Sequence, residues 1–393
     1  MKSEKSDVFF LSARCNSDME SLSAVKPKML LGEIGLDAYL KPEHKVCIKT
    51  HFGALSNTRY LRPAYTRFLV DHVKSLGVTD VFVAESCGAG LPHGEGPYAG
   101  RASEEEYLNC AMQHGFTAET MGCPIKMLDG PIGHDWFAQD ICGQFFTKVL
   151  VAGGLLDVDA LIVESHFKGH GLAGFGGALK NLGIGCVSKG GKLDAHAGKA
   201  MNIKQEACPE ECNDCIDICP VKALVKTDDG IVIRDEESCR RCRFCHSVCK
   251  YKMFETGGPI SQSQFIAQMC DNALGVVTAL GSKQIFYLNF AIDVCPQCDC
   301  SGSSDIPIVP DIGVLASKDP VALDQACVDL VHKAPAAPYS IASEMGLGEG
   351  AEKFSYIYGK PGDEPNPAWD VQLEAAEKNG LGTRQYELIN MEE

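Results

Sequence analysis

Short apolar runs alternate along the chain with segments whose apolar residues recur every three or four positions. Val8–Ala13, Val46–His51, Asp80–Ala84, Ala160–Glu164, Gln284–Phe290 and Ile312–Leu315 are short and rich in β-branched and aromatic residues, and each predicts a buried strand. Between Arg62 and Leu76, Tyr65, Phe68, Leu69, His72, Val73 and Leu76 share one helical face, which Gly77 ends. Glu104–His114 predicts an amphipathic helix, Ala178–Leu182 a short one, and Trp369–Lys378 one in the charged tail. Asp319 followed by Pro320 is a helix start. Ser21–Leu40 is helix-like, with interruptions expected at Pro27 and Gly32.

This alternation predicts an α/β fold, a mostly parallel sheet flanked by helices. Ligands in such sheets sit beyond the carboxyl ends of the strands. The pattern breaks between residues 204 and 256, where long apolar runs give way to dense cysteine. That segment is expected to be a small insert, dividing the α/β domain into residues 1–203 and residues 257–393, tail included.

Composition narrows the class. Of 393 residues, 36 are Lys or Arg and 52 Asp or Glu, a net charge of −16. With 45% hydrophobic and 22% charged residues the chain reads as a soluble globular protein, with neither nucleic acid nor an anionic membrane as partner. Val149–Val163, the most apolar stretch, is short and carries Asp157 and Asp159. Met1–Arg14 lacks the apolar core of a signal peptide, so a cytoplasmic location is expected. Twenty cysteines in a reducing compartment point to metal rather than disulfides.

Eight of them form a repeat. Cys208, Cys212, Cys215 and Cys219 are followed by Cys239, Cys242, Cys245 and Cys249, and the last three positions of each set are 30 residues apart. Two- and three-residue gaps let one turn wrap three corners of a cubane, the fourth ligand coming from the other half. Two [4Fe–4S] clusters are expected, one on Cys208, Cys212, Cys215 and Cys249, the other on Cys239, Cys242, Cys245 and Cys219. Zinc ribbons need pairs rather than triplets. The first gap holds three residues, Pro209, Glu210 and Glu211, instead of two, and Lys250 stands where a proline is expected.

Further segments carry a resemblance. They are Lys49-Thr-His51-Phe-Gly53 with Asn57 and Arg62, His166-Phe-Lys168-Gly-His170, and Gly174 through Lys180-Asn181 to Gly183 with Cys186. Cys298-Asp-Cys300, Pro307 to Gly313 and Asp319 to Asp324 complete the set. In order and in insert position the chain resembles the prokaryotic domain-of-unknown-function family of iron–sulfur centre proteins. The resemblance implies an α/β domain with a two-cluster ferredoxin-like insert, and no settled reaction. Cys295 and the Glu85-Ser-Cys87-Gly segment depart from the family pattern.

The remaining candidates lie at strand ends. Cys295, Cys298 and Cys300 are soft ligands that suit a third metal, zinc or Fe–S, with a fourth ligand from Cys186, Cys87 or His166. Lys49, Lys168, Lys180, Asn181 and Asp324 are candidates to bind a small anion beside a glycine-rich turn. His51, His166 and His170 are candidate proton donors. No GxGxxG follows an early strand, so neither NAD nor flavin is expected.

The sequence therefore predicts a ferredoxin-dependent oxidoreductase, receiving electrons from a ferredoxin or a larger oxidoreductase and acting on a small anion. Its alternatives are a non-catalytic carrier or adaptor in a larger redox complex, and a metal or cluster maturation factor.

Overall fold

The computed structural model describes residues 5–92, 99–197, 201–206, 208–258, 260–360 and 362–392. Eight strands form the central sheet: β1 (Ser6–Ser12), β2 (Lys45–Lys49), β3 (Asp80–Glu85), β4 (Ile125–Met127), β5 (Ala160–His166), β6 (Gln284–Ala291), β7 (Gly313–Ser317) and β8 (Tyr386–Asn390). Their order is β8-β1-β7-β6-β5-β2-β3-β4. Only the β1–β7 and β6–β7 pairings are antiparallel, so β7 alone runs against the rest. The sheet is mostly parallel, as the alternation predicts.

Helices cover both faces. One face packs α2 (Ala178–Gly183), α4 (Gln262–Leu280), α5 (Pro320–Lys333) and α6 (Ala368–Lys378) through Leu179, Phe265, Val321 and Leu373. The other packs Lys26–Glu33, α1 (Pro63–Ser75) and Glu104–Gln113 through Leu30, Leu69 and Tyr107. Neighbouring strand residues divide between the two cores, Cys47 and Leu161 to one, Val46, Ile48, Ala160 and Ile162 to the other. Burial on both faces explains why these strands read as continuous apolar runs.

The break in Ser21–Leu40 falls elsewhere than expected. Pro27 sits in the first turn of the Lys26–Glu33 helix, where its missing N–H costs nothing, and Gly32 lies inside that helix. The chain turns at Gly35, whose φ of 86° is left-handed. Among the described residues no helix is long and apolar enough to cross a membrane.

The cysteine-rich segment is a ferredoxin-like module. Its two short helices, Asp214–Asp217 and Phe244–Val248, repeat at the sequence period, as do the left-handed Lys222 and Lys252. The hairpin of Leu224–Lys226 with Val232–Arg234 lies between them, and the antiparallel pairing of Met201–Ile203 with Phe254–Thr256 closes the segment at its two ends.

Candidate functional site

Strands β6, β5, β2 and β3 are adjacent and parallel, so their carboxyl ends share one edge. A cavity of about 140 Å³ opens there. His51, Glu85, His166, Lys168, His170, Lys180, Asn181 and Cys300 line it, with Arg101, Tyr107, Lys192 and His196.

The two lysines first expected to share an anion differ. Lys49 is fully buried, and its Nζ lies 2.7 Å from Glu85 Oε1 and donates to Asn181 Oδ1 at 2.8 Å. Its charge is consumed by that pair, and it does not line the cavity. Lys180 lines the cavity and, among the described residues, meets only sulfur, Cys298 Sγ at 3.6 Å. Lys168 ion-pairs with Asp299 Oδ2 at 3.2 Å. Asn181 is held by Lys49 and by the Glu164 carbonyl, to which Nδ2 donates at 2.8 Å.

Asp324 does not face an external ligand. Its oxygens accept the amides of Ala178 at 2.8 Å and Leu179 at 2.9 Å, and Asn289 Nδ2 at 2.7 Å. A Cβ on Gly177 would lie 2.3 Å from Asp324 Oδ1, so glycine there is a condition of the contact. The anion cradled by the glycine-rich turn is thus a carboxylate of this chain. Burial raises it to about 6.

The three candidate histidines all line the cavity but are not equivalent. His166 has Asp299 Oδ1 at 2.9 Å from Nδ1 and the Ile292 carbonyl at 2.8 Å from Nε2, leaving neither nitrogen free. His170 Nδ1 accepts the amide of Ala173 at 3.0 Å; burial, then Lys180, lowers its pKa to about 3. His51 Nδ1 donates to Glu85 Oε2 at 2.6 Å, with the Tyr107 hydroxyl 3.1 Å away. Its Nε2 is buried without a hydrogen-bond partner among the described residues. Burial opposes ionisation of Glu85, yet Lys49 and His51 hold it well below the usual carboxylate range. Burial lowers His51, so the ring is a neutral donor to a carboxylate with a lone pair at Nε2.

The sulfur group differs from the sequence expectation in membership. His170, Cys298 and Cys300 place ligand atoms within 4.8 Å of one another. Cys295 lies apart, its thiol donating to the Asp293 carbonyl at 2.9 Å. Cys87 is buried against the Gly130 carbonyl, Cys186 is buried elsewhere, and His166 is spent on Asp299 and Ile292. Burial opposes ionisation of Cys298, but the Cys300 hydrogen bond and the Lys180 and Lys168 charges bring it well below an ordinary thiol. Cys300 is driven up by its bond to Cys298 and by burial.

In the insert, Cys219, Cys239, Cys242 and Cys245 line one small cavity of about 20 Å³. Cys208, Cys212, Cys215 and Cys249 are electrostatic neighbours of one another. The amides of Ala223 and Met253 point at Cys219 Sγ and Cys249 Sγ, at 3.2 and 3.4 Å. Lys226 Nζ fills the enlarged first turn, donating to the carbonyls of Pro209 at 2.9 Å, Glu210 at 3.2 Å and Cys212.

The module abuts the cavity. Lys189 Nζ donates to the Cys242 carbonyl at 3.3 Å and to that of Ala102. Arg243 Nη1 donates to the carbonyl of Ala89, a cavity residue, at 2.9 Å. Lys192, on the helix α3 (Lys189–Ala197), donates to Ser86 Oγ at 2.7 Å. Arg101 Nη2 donates to the Cys300 carbonyl at 2.8 Å. Lys192 and Arg101 line the cavity, and neither has a carboxylate partner among the described residues. Sequence reasoning missed both: the Lys-Gly-Gly-Lys start of α3 reads as a loop, and Arg101 stands in no motif.

A family model described as Domain of unknown function (DUF362) matches residues 46–329. Curated relatives match shorter stretches. One component of the anaerobic dimethyl sulfoxide reductase of Escherichia coli is 44% identical over 93 residues, 22% of this chain and 39% of the relative. Its Haemophilus influenzae counterpart is 35% identical over 95 residues, with the same shares. One component of the tetrathionate reductase of Archaeoglobus fulgidus is 39% identical over 57 residues, 13% of this chain and 28% of the relative. The chain thus spans well under half the length of these relatives. Among solved structures, the lactate racemase apoprotein of Thermoanaerobacterium thermosaccharolyticum has a TM-score of 0.39 and 12% identity, over 98% of this chain and 84% of that one.

Proposed function

The chain belongs to the DUF362 family, and from that premise we propose that it is an iron–sulfur electron-transfer protein, a ferredoxin-linked reductase acting on a small anion at the strand ends. Cys208, Cys212, Cys215 and Cys249 would hold one [4Fe–4S] cluster, and Cys219, Cys239, Cys242 and Cys245 the other. The cavity lined by the second four thiols, and the amides aimed at Cys219 and Cys249, support the fit. Bound clusters supply one-electron transfer. Resemblance to components of dimethyl sulfoxide and tetrathionate reductases supports the same class.

One observation carries the reading from carrier to reductase: the second cysteine set is built against the wall of a cationic cavity, through Lys189 and Arg243. Lys180, Lys192 and Arg101 bind and orient the anion. His51, fixed by Glu85, holds or takes a proton at Nε2. Each set has three partly exposed cysteines and one buried one, but among the described residues only the second is tied to the cavity wall, through Lys189 and Arg243, so electrons would enter at the first set and leave at the second. Ile218, Val221, Val225, Ile233 and Tyr251, all exposed on the insert, suit a protein donor docking there, a ferredoxin or a larger oxidoreductase.

The test is anaerobic stopped-flow mixing of dithionite-reduced protein with a panel of small carboxylates, phosphates and sulfur oxyanions. A substrate reoxidises the protein, and Lys180→Met slows that reoxidation tenfold or more with the visible spectrum unchanged. If no anion on the panel changes the reoxidation rate or the spectrum, the reductase reading is lost.

A further inference from the structure

The mechanism above leaves one group unused, the Cys298-Asp-Cys300 pair. From its surroundings we infer that Cys298 and Cys300 are a redox-active dithiol that cycles with a disulfide and relays electron pairs to the cavity. The inference deepens the proposed reductase reading and rests on it.

Four features carry it. The two sulfurs fall in a group within 4.8 Å. Cys298 Sγ receives the Cys300 amide at 3.3 Å and the Lys180 ammonium at 3.6 Å, two donors that stabilise a thiolate. Cys300 lines the cavity, while Cys298 is 5% exposed. The pair is therefore asymmetric, a charge-stabilised sulfur behind and an accessible one in front.

The same geometry argues against a resident metal. His170 Nδ1 accepts the amides of Ala173 at 3.0 Å and Leu172 at 3.3 Å, so its lone pair is taken and a neutral ring carries its proton on Nε2. The Lys180 ammonium stands 3.6 Å from Cys298 Sγ, and its charge repels a second cation there. Cys295, the third soft ligand in the sequence, is turned to the Asp293 carbonyl.

The chemistry balances in both directions. On reduction the S–S bond breaks; the disulfide takes two electrons and one proton, leaving a thiol on Cys300 and a thiolate on Cys298. The reductant is a low-potential iron–sulfur donor acting twice. On reoxidation the S–S bond re-forms. Two electrons and the Cys300 proton pass to a two-electron acceptor in the cavity, which takes any further proton from solvent.

The test is differential alkylation of the holoprotein, poised anaerobically at a series of potentials, then denatured in iodoacetamide and mapped by mass spectrometry. The peptide that holds Cys298 and Cys300 also holds Cys295; at high potential it should carry a single alkyl group, on Cys295, and be lighter by two hydrogens, and at low potential it should be triply alkylated, in one two-electron transition. Lys180→Met should move that midpoint, and Cys300→Ser should abolish the transition and leave Cys298 alkylated throughout. Iron content and visible spectrum are read on the same samples, so loss of clusters is distinguished from failure of the dithiol. Full alkylation of both thiols at every potential, in protein with intact clusters, overturns the inference. So does stoichiometric zinc that is lost in Cys298→Ser.

Discussion

Asp324 Oδ1 accepts the amide of Ala178 at 2.8 Å, across 146 residues of sequence. The carboxylate on α5 is the N-terminal cap of α2, and it fixes the turn that presents Lys180 to the cavity. Asp324→Ala would leave two buried amides and Asn289 without an acceptor. A loss of about 2–4 kcal/mol is expected, from a missing cap and unsatisfied donors. Denaturant titration of wild type and variant under anaerobic conditions measures it.

Glu164 gives a pH signature. It is buried beneath the sheet edge, accepts Thr66 Oγ1 at 2.6 Å, and burial raises it from 4.5 to about 7. The folded state therefore holds this proton more tightly than the unfolded chain. The contribution is full below pH 4.5 and is lost as pH rises to 7, a total of about 3 kcal/mol from the linkage relation. Glu164→Gln, whose side chain can still meet the Thr50 hydroxyl but does not titrate, should remove this fall. Stability against pH from 4.5 to 8 checks it; parallel curves would contradict it.

Lys180 and Lys49 should behave oppositely. Lys180→Met should weaken a bound anion by about tenfold or more, given ~1.5–3 kcal/mol for a charge-assisted bond. Lys49→Met removes one partner of a buried ion pair and should cost about 3–5 kcal/mol of stability. Isothermal titration with the anion and thermal unfolding, run on both variants, separate the two roles.

Crossed ligation can be read one cysteine at a time. Cys219→Ser should disturb the cluster assigned to Cys239, Cys242 and Cys245, and Cys249→Ser the one assigned to Cys208, Cys212 and Cys215. Paramagnetic resonance of the reduced variants distinguishes the two sets. A Cys219→Ser change confined to the Cys208 set would reverse the assignment.

Much of the scaffold was legible because its signals are local. Strand β3 was expected over Asp80–Ala84 and spans Asp80–Glu85, and Asp319 caps α5 through the amides of Val321 and Ala322. Trp136–Asp140 and strand β8 escaped notice because their half-exposed residues lack a continuous apolar run, whereas the apolar run in Lys148–Ala152, the hairpin partner of Trp136–Asp140, was weighed only as a membrane span. The site was harder, since pairing is a matter of three dimensions. Lys49 and Lys180 look alike in sequence, yet one meets Glu85 and the other a thiol. No spacing rule brings His170 rather than Cys295 to Cys298. The glycine-rich turn was recognisable as an anion cradle, but not that Asp324 is the anion.

The central claim is that two iron–sulfur clusters stand in the insert against the cavity. Anaerobically purified protein should contain about eight irons per chain, as two four-iron clusters require. After dithionite reduction, its low-temperature paramagnetic resonance should show two reduced clusters close enough to interact. Zinc in place of iron, with no paramagnetic signal on reduction, would contradict the account.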